Sequence, residues 1–486
     1  MIHTILFRFC KFSLILGCWI CAITAAVAAP ASAAVINLPV PASSTVSSAN
    51  VALPVQQTAA NPVLAVADKP NVTQPSAKGQ ANAPTPAAAA TPAANAPAAP
   101  TILPPVPTPG PQSASAKTSN SPSPIIPAPP EINAAAYLLI DANSGYVIAQ
   151  NNADSRRAPA SLTKLMTMYV LSGFIKSGRI KMTDPVTISE NAWRTGGSRM
   201  FVQVGTQVPV EDLVHGIIVA SGNDACVSMA EFAAGSESSF VNLMNQTAAQ
   251  LSMKDTNYAD STGLPNPANY TTAYDLAKLS RAIIQNYPED YKWYSQKWMM
   301  YNNIKQPNRN LLLWRDPSVD GLKTGHTDEA GFCLVASAVR QNTRLIAIVL
   351  GAPSMKDRAV DIQALLNYGY RFFETHQLYT KDQQLANLKT YYGRNKETPL
   401  GIANPLYVTV PIGQYKKLNA NLMVDKTLEA PIVKGKSYGT VQVMLNNQVV
   451  GTQPLVALAD NPKAGFMSRT IDKVSLWVKG WFEHSS

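Results

Sequence analysis

Three short groups of residues in this chain could together activate and hold an acyl group. The first is Ser161-Leu162-Thr163-Lys164, which follows Arg157-Ala158-Pro159-Ala160 and opens an apolar run. A three-residue step on a helix sets Ser161 and Lys164 on one face, one turn apart. A serine hydroxyl is a weak nucleophile until a neighbour takes its proton. Lysine takes it once its pKa falls from about 10.4 toward 7–8 through burial or a nearby cation. At about 1.4 kcal/mol per unit, that shift costs roughly 3–5 kcal/mol, which the surrounding fold must absorb. A helix N-terminus at Ser161 also offers backbone N–H groups to a developing oxyanion. Taken alone, the motif reads better as a helix-capping serine beside a surface lysine.

Two further groups change that. Ser221-Gly222-Asn223 lies between an apolar helix end (HGIIVA) and a helix opening at Asp224-Ala225-Cys226. Its hydroxyl and amide can relay protons and grip a substrate amide. Lys323-Thr324-Gly325 lies just before a strand, GFCLVASA. Lys323 adds a second cation that disfavours protonation of Lys164 and attracts a substrate carboxylate. Thr324 offers a hydroxyl to that carboxylate, and Gly325 lets substrate backbone lie close against a strand edge. Three motifs in this order and spacing point to one centre.

The elements that must position these residues can be read from patterning. Tyr137–Asp141 and Tyr146–Gln150 flank the turn Ala142-Asn143-Ser144-Gly145 and predict a hairpin. Helical patterns follow over 161–177, 210–218, 224–234, 240–251 and 272–286. Strands return at 331–338 and 344–350, and a helix over 355–374 closes the region. Strands first and last with helices between predict an α+β fold, one antiparallel sheet whose two chain ends pair, packed with helices. Tyr407–Ile412, Ala420–Val424 and Thr440–Leu445, with Asn446-Asn447 as a turn, predict a small all-β domain over 382–460. In the tail, 465–486, Met467, Ile471, Val474, Val478, Trp481 and Phe482 recur at three- and four-residue steps. Arg469, Asp472, Lys473, Lys479 and Glu483 take the other face. This amphipathic helix, with Trp477 and Trp481, suits a membrane interface or docking on its own domain.

The remaining segments set the compartment. Residues 1–29 carry Arg8 and Lys11, an apolar run Phe12–Val27, and Ala-x-Ala patterns at Ala26–Ala28 and Ala31–Ala33: a secretory signal peptide. Residues 30–130 hold more than half of the chain's 37 prolines among Ala, Ser, Thr and Asn, and predict a disordered linker, either a spacer or an inert tail. The segment 131–378 is then the catalytic domain. Of five cysteines, Cys226 and Cys333 lie beyond the signal and are read as separate buried thiols, a single bridge being the alternative. A formal charge of +10 suits an anionic lipid surface or acidic polymer. Nucleic acid is excluded by export and by the lack of basic-aromatic motifs. His215, His326, His376 and His484 show no ligand spacing, and no glycine-rich phosphate loop occurs, so neither metal nor cofactor is expected.

The motif set Ser161-x-x-Lys164, Ser221-x-Asn223 and Lys323-Thr324-Gly325 resembles the signatures of penicillin-binding proteins and serine β-lactamases. The strings APASLTKLMT, ASGNDAC, QPNRNLLLW and VDGLKTGHT resemble the low-molecular-mass D-alanyl-D-alanine carboxypeptidases, over about residues 134–376. The β-domain and tail match that family's layout; the Ala/Pro-rich insert departs from it. The resemblance implies a β-lactamase/transpeptidase-like catalytic fold. It implies that Ser161 attacks the bond between the two terminal D-alanines of a peptidoglycan stem peptide. Lys164 would take the proton, while Ser221 and Asn223 relay protons and bind the peptide amide. Lys323, Thr324 and His326 would border the terminal carboxylate, with Arg309 a further substrate-side residue. The backbone N–H groups of Ser161 and His326 would form the oxyanion hole, and β-lactam antibiotics would acylate the same serine. The implied location is periplasmic, at the outer face of the cytoplasmic membrane.

Other readings of the same motifs are a β-lactamase, a D,D-endopeptidase, or a non-catalytic peptidoglycan-binding envelope protein. A lactamase of the commonest class needs a deacylating carboxylate in a Glu-x-x-x-Asn stretch. Glu231 and Glu237 lack the asparagine four residues on.

Overall fold

The computed structural model describes residues 34–41, 126–424 and 427–483, beginning with a short strand, β1 (Ala34–Leu38). The signal peptide and residues 42–125 of the expected linker lie outside the described residues.

The central sheet forms because apolar runs from both ends of the catalytic region find each other. Strand β2 (Ala136–Asp141) turns through Asn143-Ser144-Gly145 into β3 (Val147–Asn151). The long helices that follow include α1 (Lys164–Lys176), α2 (Asn223–Ala234) and α3 (Ala273–Asn286). A small hairpin, β4 (Trp298–Tyr301) and β5 (Ile304–Pro307), precedes three long strands, β6 (Val319–Thr327), β7 (Gly331–Arg340) and β8 (Thr343–Ala352). Their order is β3-β2-β8-β7-β6, antiparallel throughout, with β2 pairing β8 from Tyr137↔Val349 to Asp141↔Leu345. The two ends of the region therefore pair, as the patterning predicts.

Successive strand residues point to opposite faces, and here both faces are covered. Leu138, Ile140, Val335, Ile346 and Ile348 pack into the helical layer around α1. Leu139, Leu334, Ala336, Leu345 and Val349 pack against Ile362, Leu365 and Leu366 of α4 (Met355–Phe372) on the other face. This explains why β7 and β8 read as continuous apolar runs rather than alternating ones. Helix α1 is buried nearly all round, from Lys164 to Ser172. A helix with no wet face is fixed by packing on every side, which makes it a rigid mount for its first turn.

Two elements differ from the sequence reading. Residues 319–327 were expected as the approach to a strand, yet β6 is itself a nine-residue strand carrying Lys323-Thr324-Gly325. Two glycines and five polar side chains hide its pattern, and pairing with β7 supplies what propensity does not. The expected helix over 355–374 ends at Phe372, where β9 (Phe373–Tyr379) begins.

Beyond β9 the chain is almost wholly strand: β10 (Gln384–Tyr391), β11 (Glu397–Gly401), β12 (Leu406–Pro411), β13 (Leu418–Val424), β14 (Ser437–Leu445) and β15 (Gln448–Ala457). Their core gathers Val408, Val410, Leu422, Val441, Val443 and Leu455. A polar clasp joins the two folded regions. The buried Asp141 carboxylate accepts from Ser144 and from Thr375 Oγ1 at 2.8 Å, while Thr409 Oγ1 lies 2.8 Å from Thr375 and 2.6 Å from Ser144 Oγ.

Strand β1 corrects the expectation of an unbroken linker from residue 30. It pairs with β13 from Ala34↔Val424 to Leu38↔Ala420 and closes that edge of the sheet. Ile36, Leu38 and Val40 pack on the β-domain core, and Tyr379 and Tyr415 donate to the carbonyls of Pro39 and Pro41. Composition averaged over a hundred residues concealed this short alternating stretch, for which an open strand edge is a ready partner. The far end of the insert is also held, since Tyr368 donates to Pro127 O at 2.9 Å.

The final helix, α5 (Phe466–Glu483), sits against the β-domain through its polar side. Asp472 is buried there, accepting from Tyr392 N at 2.7 Å, with Lys396 Nζ at 3.4 Å. Phe466, Met467, Ile471 and Val474 are exposed on the helix. The side chains of Trp477, Val478, Trp481 and Phe482 lie outside the described residues.

Candidate active site

Ser161 stands in a tight helical turn, Ala160–Thr163, directly ahead of α1. The turn is held in an unfavourable backbone state, since Ala160 has φ +47°. For a residue with a Cβ such a conformation costs about 1–2 kcal/mol and must be imposed from outside. The imposing neighbour is Gly263. Its φ is +81°, and a Cβ built there would lie 1.8 Å from the Ala160 carbonyl oxygen. Only glycine lets these two backbones meet. Gly325 of β6 approaches from the other side, where an added Cβ would fall 3.1 Å from Pro159 O. Its close approach therefore serves the Ser161 turn as well as any substrate.

Lys164 is buried to 1% exposure, and its amine has three neighbours. Nζ lies 2.6 Å from Asn223 Oδ1, 2.6 Å from Thr262 O and 3.1 Å from Ser161 Oγ. Asn223 Nδ2 donates to Gly196 O at 2.7 Å, which fixes the amide with its oxygen toward the lysine. Two of the three neighbours are thus pure acceptors. A neutral amine has two N–H groups and one lone pair. The N–H groups match the two carbonyl oxygens, leaving the lone pair for the Ser161 hydroxyl. Burial lowers the Lys164 pKa from its ordinary value, so the neutral form is favoured.

Thr262 O is itself held in place. Asp260 Oδ1 accepts from Thr262 N, Thr262 Oγ1 and Gly263 N at 2.6–2.7 Å. Ser221 adopts a left-handed conformation, φ +59°, at the end of a π-helical turn over Gly216–Ala220, and is 3% exposed. Lys323 Nζ donates to Ser221 Oγ at 2.9 Å and to Thr324 O at 3.0 Å. Its pKa lies well below the ordinary value, first through burial and then through the charges of Lys164 and Arg309. The three motifs therefore meet as two buried amines, each touching a serine hydroxyl.

Above them opens a cleft of about 260 Å³. Ser161, Ser221, Thr324, Gly325, His326 and Arg309 line it, while Lys164, Asn223 and Lys323 lie beneath. All nine residues expected from the sequence converge. β6 is the edge strand of its sheet, so its outward backbone groups face the cleft rather than a neighbouring strand.

Four further residues line the cleft that sequence reasoning did not reach: Ser198, Phe332, Met355 and Arg358. Ser198 accepts from Arg309 Nη1 at 2.7 Å. Its loop is pinned by Asp224, whose carboxylate accepts from the backbone N–H of Met200, Phe201 and Val202. Arg358 is 3% exposed and donates to Gly325 O at 3.0 Å and Cys333 O at 3.3 Å, bracing β6 against β7. The one available signal was Asp224, an acid directly after Ser221-Gly222-Asn223; Ser198 and Arg358 carry no local pattern. Cys226 and Cys333 are separate buried thiols, and burial pushes Cys226 up to about 12.

A nucleophilic serine over a buried amine, beside an open strand edge, defines the penicillin-binding class of serine hydrolases. Comparison with known proteins narrows this. Residues 123–354 match the D-alanyl-D-alanine carboxypeptidase (peptidase S11) family, and residues 373–463 match the penicillin-binding protein 5 C-terminal domain. The chain is 42% identical over 366 residues to D-alanyl-D-alanine carboxypeptidase DacA of Escherichia coli K12, covering 74% of this chain and 91% of that protein. It is 36% identical over 352 residues to D-alanyl-D-alanine carboxypeptidase DacF of Bacillus subtilis, covering 71% and 90%. Penicillin-binding protein 5 of Haemophilus influenzae superposes with a TM-score of 0.67 at 42% identity, over 69% of this chain and 99% of that structure. The chain belongs to the D-alanyl-D-alanine carboxypeptidase family, peptidase S11.

The Gly263 contact yields a direct test. Gly263→Ala pushes on the Ala160 carbonyl and displaces the Ser161 turn. Acylation by a labelled penicillin should drop by about 100-fold or more, a barrier increase of roughly 2.7 kcal/mol, with the far-ultraviolet dichroism of the fold retained. A folded variant acylated at the parent rate would show that this contact does not set the turn.

Proposed function

We propose that Ser161 is the acylated nucleophile and Lys164 its base in the removal of the terminal D-alanine from peptidoglycan stem pentapeptides. The observation that carries this reading is the buried Lys164 amine, 3.1 Å from Ser161 Oγ and 2.6 Å from two carbonyl oxygens, which in its neutral form would spend its two N–H groups on those oxygens and turn its lone pair to the serine. The serine proton passes to Lys164 Nζ as the Oγ–C bond forms. The C–N bond then breaks as the departing D-alanine amine takes up the proton held on Lys164 Nζ, relayed by the Ser221 hydroxyl, which returns the lysine to its neutral form. Water cleaves the ester and restores the serine. Asn223 grips the peptide amide, while Lys323, Thr324, His326 and Arg309 hold the substrate carboxylate. Backbone N–H groups of Ser161 and His326 cradle the oxyanion. β-Lactams acylate the same serine. The division of labour follows the chain, with catalysis over 131–378 and the β-domain over 382–460.

Two outcomes test this. Purified enzyme should release free D-alanine from a soluble stem pentapeptide, and labelled penicillin should mark the peptide containing Ser161. Separated cross-linked dimers in place of free D-alanine would favour an endopeptidase, and a label retained in Ser161→Ala would remove the serine from its role.

We further propose that the protein is exported and rests on the outer face of the cytoplasmic membrane through α5. Among the described residues no helix is long and apolar enough to cross a membrane. What supports surface attachment is the way α5 docks: Asp472 faces the β-domain while Met467, Ile471 and Val474 stay bare. An amphipathic helix of this kind buries its apolar face at the headgroup boundary. Truncation before Gly465 should move the enzyme to the soluble envelope fraction with D-alanine release intact. Membrane association unchanged by the truncation would exclude α5 as the anchor.

A further inference from the structure

Beside the cleft, the β4–β5 hairpin displays an apolar face left exposed among the described residues. Trp298 is 47% exposed and Met300 63%, on the same side of β4, while Met299 between them is buried. Trp314, 40% exposed, meets the Trp298 ring edge-on at 4.8 Å and 74°. A folded monomer gains nothing by holding two tryptophans in water, so such a patch marks a binding surface. Lys305 Nζ stands 4.5 Å from the Trp298 ring centre and Lys297 Nζ 5.5 Å from that of Trp314. Each ring thus carries an ammonium over one face and leaves its remaining exposed surface, with that donor beside it, to a ligand.

The hairpin is continuous with the catalytic cleft. Trp298 pairs with Pro307, and Arg309, two residues further on, lines the cleft. At about 3.3 Å per residue and about 5 Å between strands, the platform begins within roughly 12 Å of that wall. A five-residue stem peptide extends to about 17 Å. A polymer strand resting on the hairpin therefore keeps its stem ends within reach of the cleft wall at Arg309.

We propose that Trp298 and Trp314 form a platform for the sugar rings of the glycan strands that carry the stem peptides. This rests on the peptidoglycan reading above. Pyranose rings suit the site because their C–H faces, made slightly positive by neighbouring oxygens, pack on the negative faces of aromatic rings. Their hydroxyl and acetamido oxygens accept from Lys297 and Lys305. A lipid surface would use only the apolar part of the patch.

The test uses the full mature enzyme with Trp298→Ala/Trp314→Ala, and two substrates, intact peptidoglycan and a soluble stem pentapeptide. Release of D-alanine from the polymer should fall about tenfold, the effect of losing roughly 1.4 kcal/mol of contact, with the soluble peptide turned over at the parent rate. Retention on peptide-stripped glycan strands should be lost in the same variant and kept in Trp298→Phe, which preserves a stacking ring. Rates falling together on both substrates would make the pair structural and overturn the proposal. Unchanged glycan retention would overturn it too, as would binding of lipid vesicles in place of glycan. If the parent enzyme releases no D-alanine from either substrate, the peptide reading fails, while the glycan retention measurement still decides the platform.

Discussion

The structure depends on keeping one amine dry. Lys164 is buried almost completely, yet it sits at the start of a helix and touches only uncharged partners: two carbonyl oxygens and a hydroxyl. A charged ammonium in such a place loses most of its hydration without a counter-charge, and the cost appears as a depressed pKa. Lys323, equally buried and 2.9 Å from Ser221, adds like charge to the same volume. Between the lowered pKa and lysine's ordinary value, the unfolded chain binds more protons than the folded one, so stability rises with pH there. Stability is therefore lost as the pH falls from lysine's ordinary value to the lowered one and levels off below it, where the folded amines themselves take up protons and catalysis is lost.

Much of the surrounding architecture serves to hold that arrangement. A helix packed on every side gives α1 no freedom to carry Lys164 toward water. The five-stranded sheet ends at β6, which brings Gly325 against the Ser161 turn. Asp260 fixes Thr262 O with three short hydrogen bonds, and Gly263 beside it, having no Cβ, leaves room for the carbonyl of the left-handed Ala160. Asp224 pins the loop that carries Ser198, and Ser198 receives Arg309. Most of these groups act through backbone, at one remove from the chemistry, while Ser198 meets Arg309 side chain to side chain.

That remove explains what was legible in the sequence. Ser161, Lys164, Ser221, Asn223 and Lys323 were readable because their chemistry requires particular side chains at fixed local spacing. The hairpin β2–β3 and the apolar β7 and β8 were readable from alternation and length, and so the paired chain ends followed. β6 was not, because Gly321, Gly325 and the buried Lys323 give it no strand-like pattern; its conformation comes from pairing with β7. Ser198 and Arg358 reach the cleft from distant parts of the chain, which no local pattern encodes. β1 was hidden for the opposite reason, five ordinary residues at the head of a long Ala/Pro-rich segment.

The central claim is that burial keeps Lys164 neutral and its lone pair on Ser161. The measurement closest to it is the rate of Ser161 acylation by a labelled penicillin across the pH range. The account predicts a plateau that is reached below lysine's ordinary 10.5, and a tenfold fall per unit at pH values under the lowered apparent pKa. A rate that keeps climbing until pH passes 10.5 would contradict it, because the base would then be an ordinary, solvated lysine.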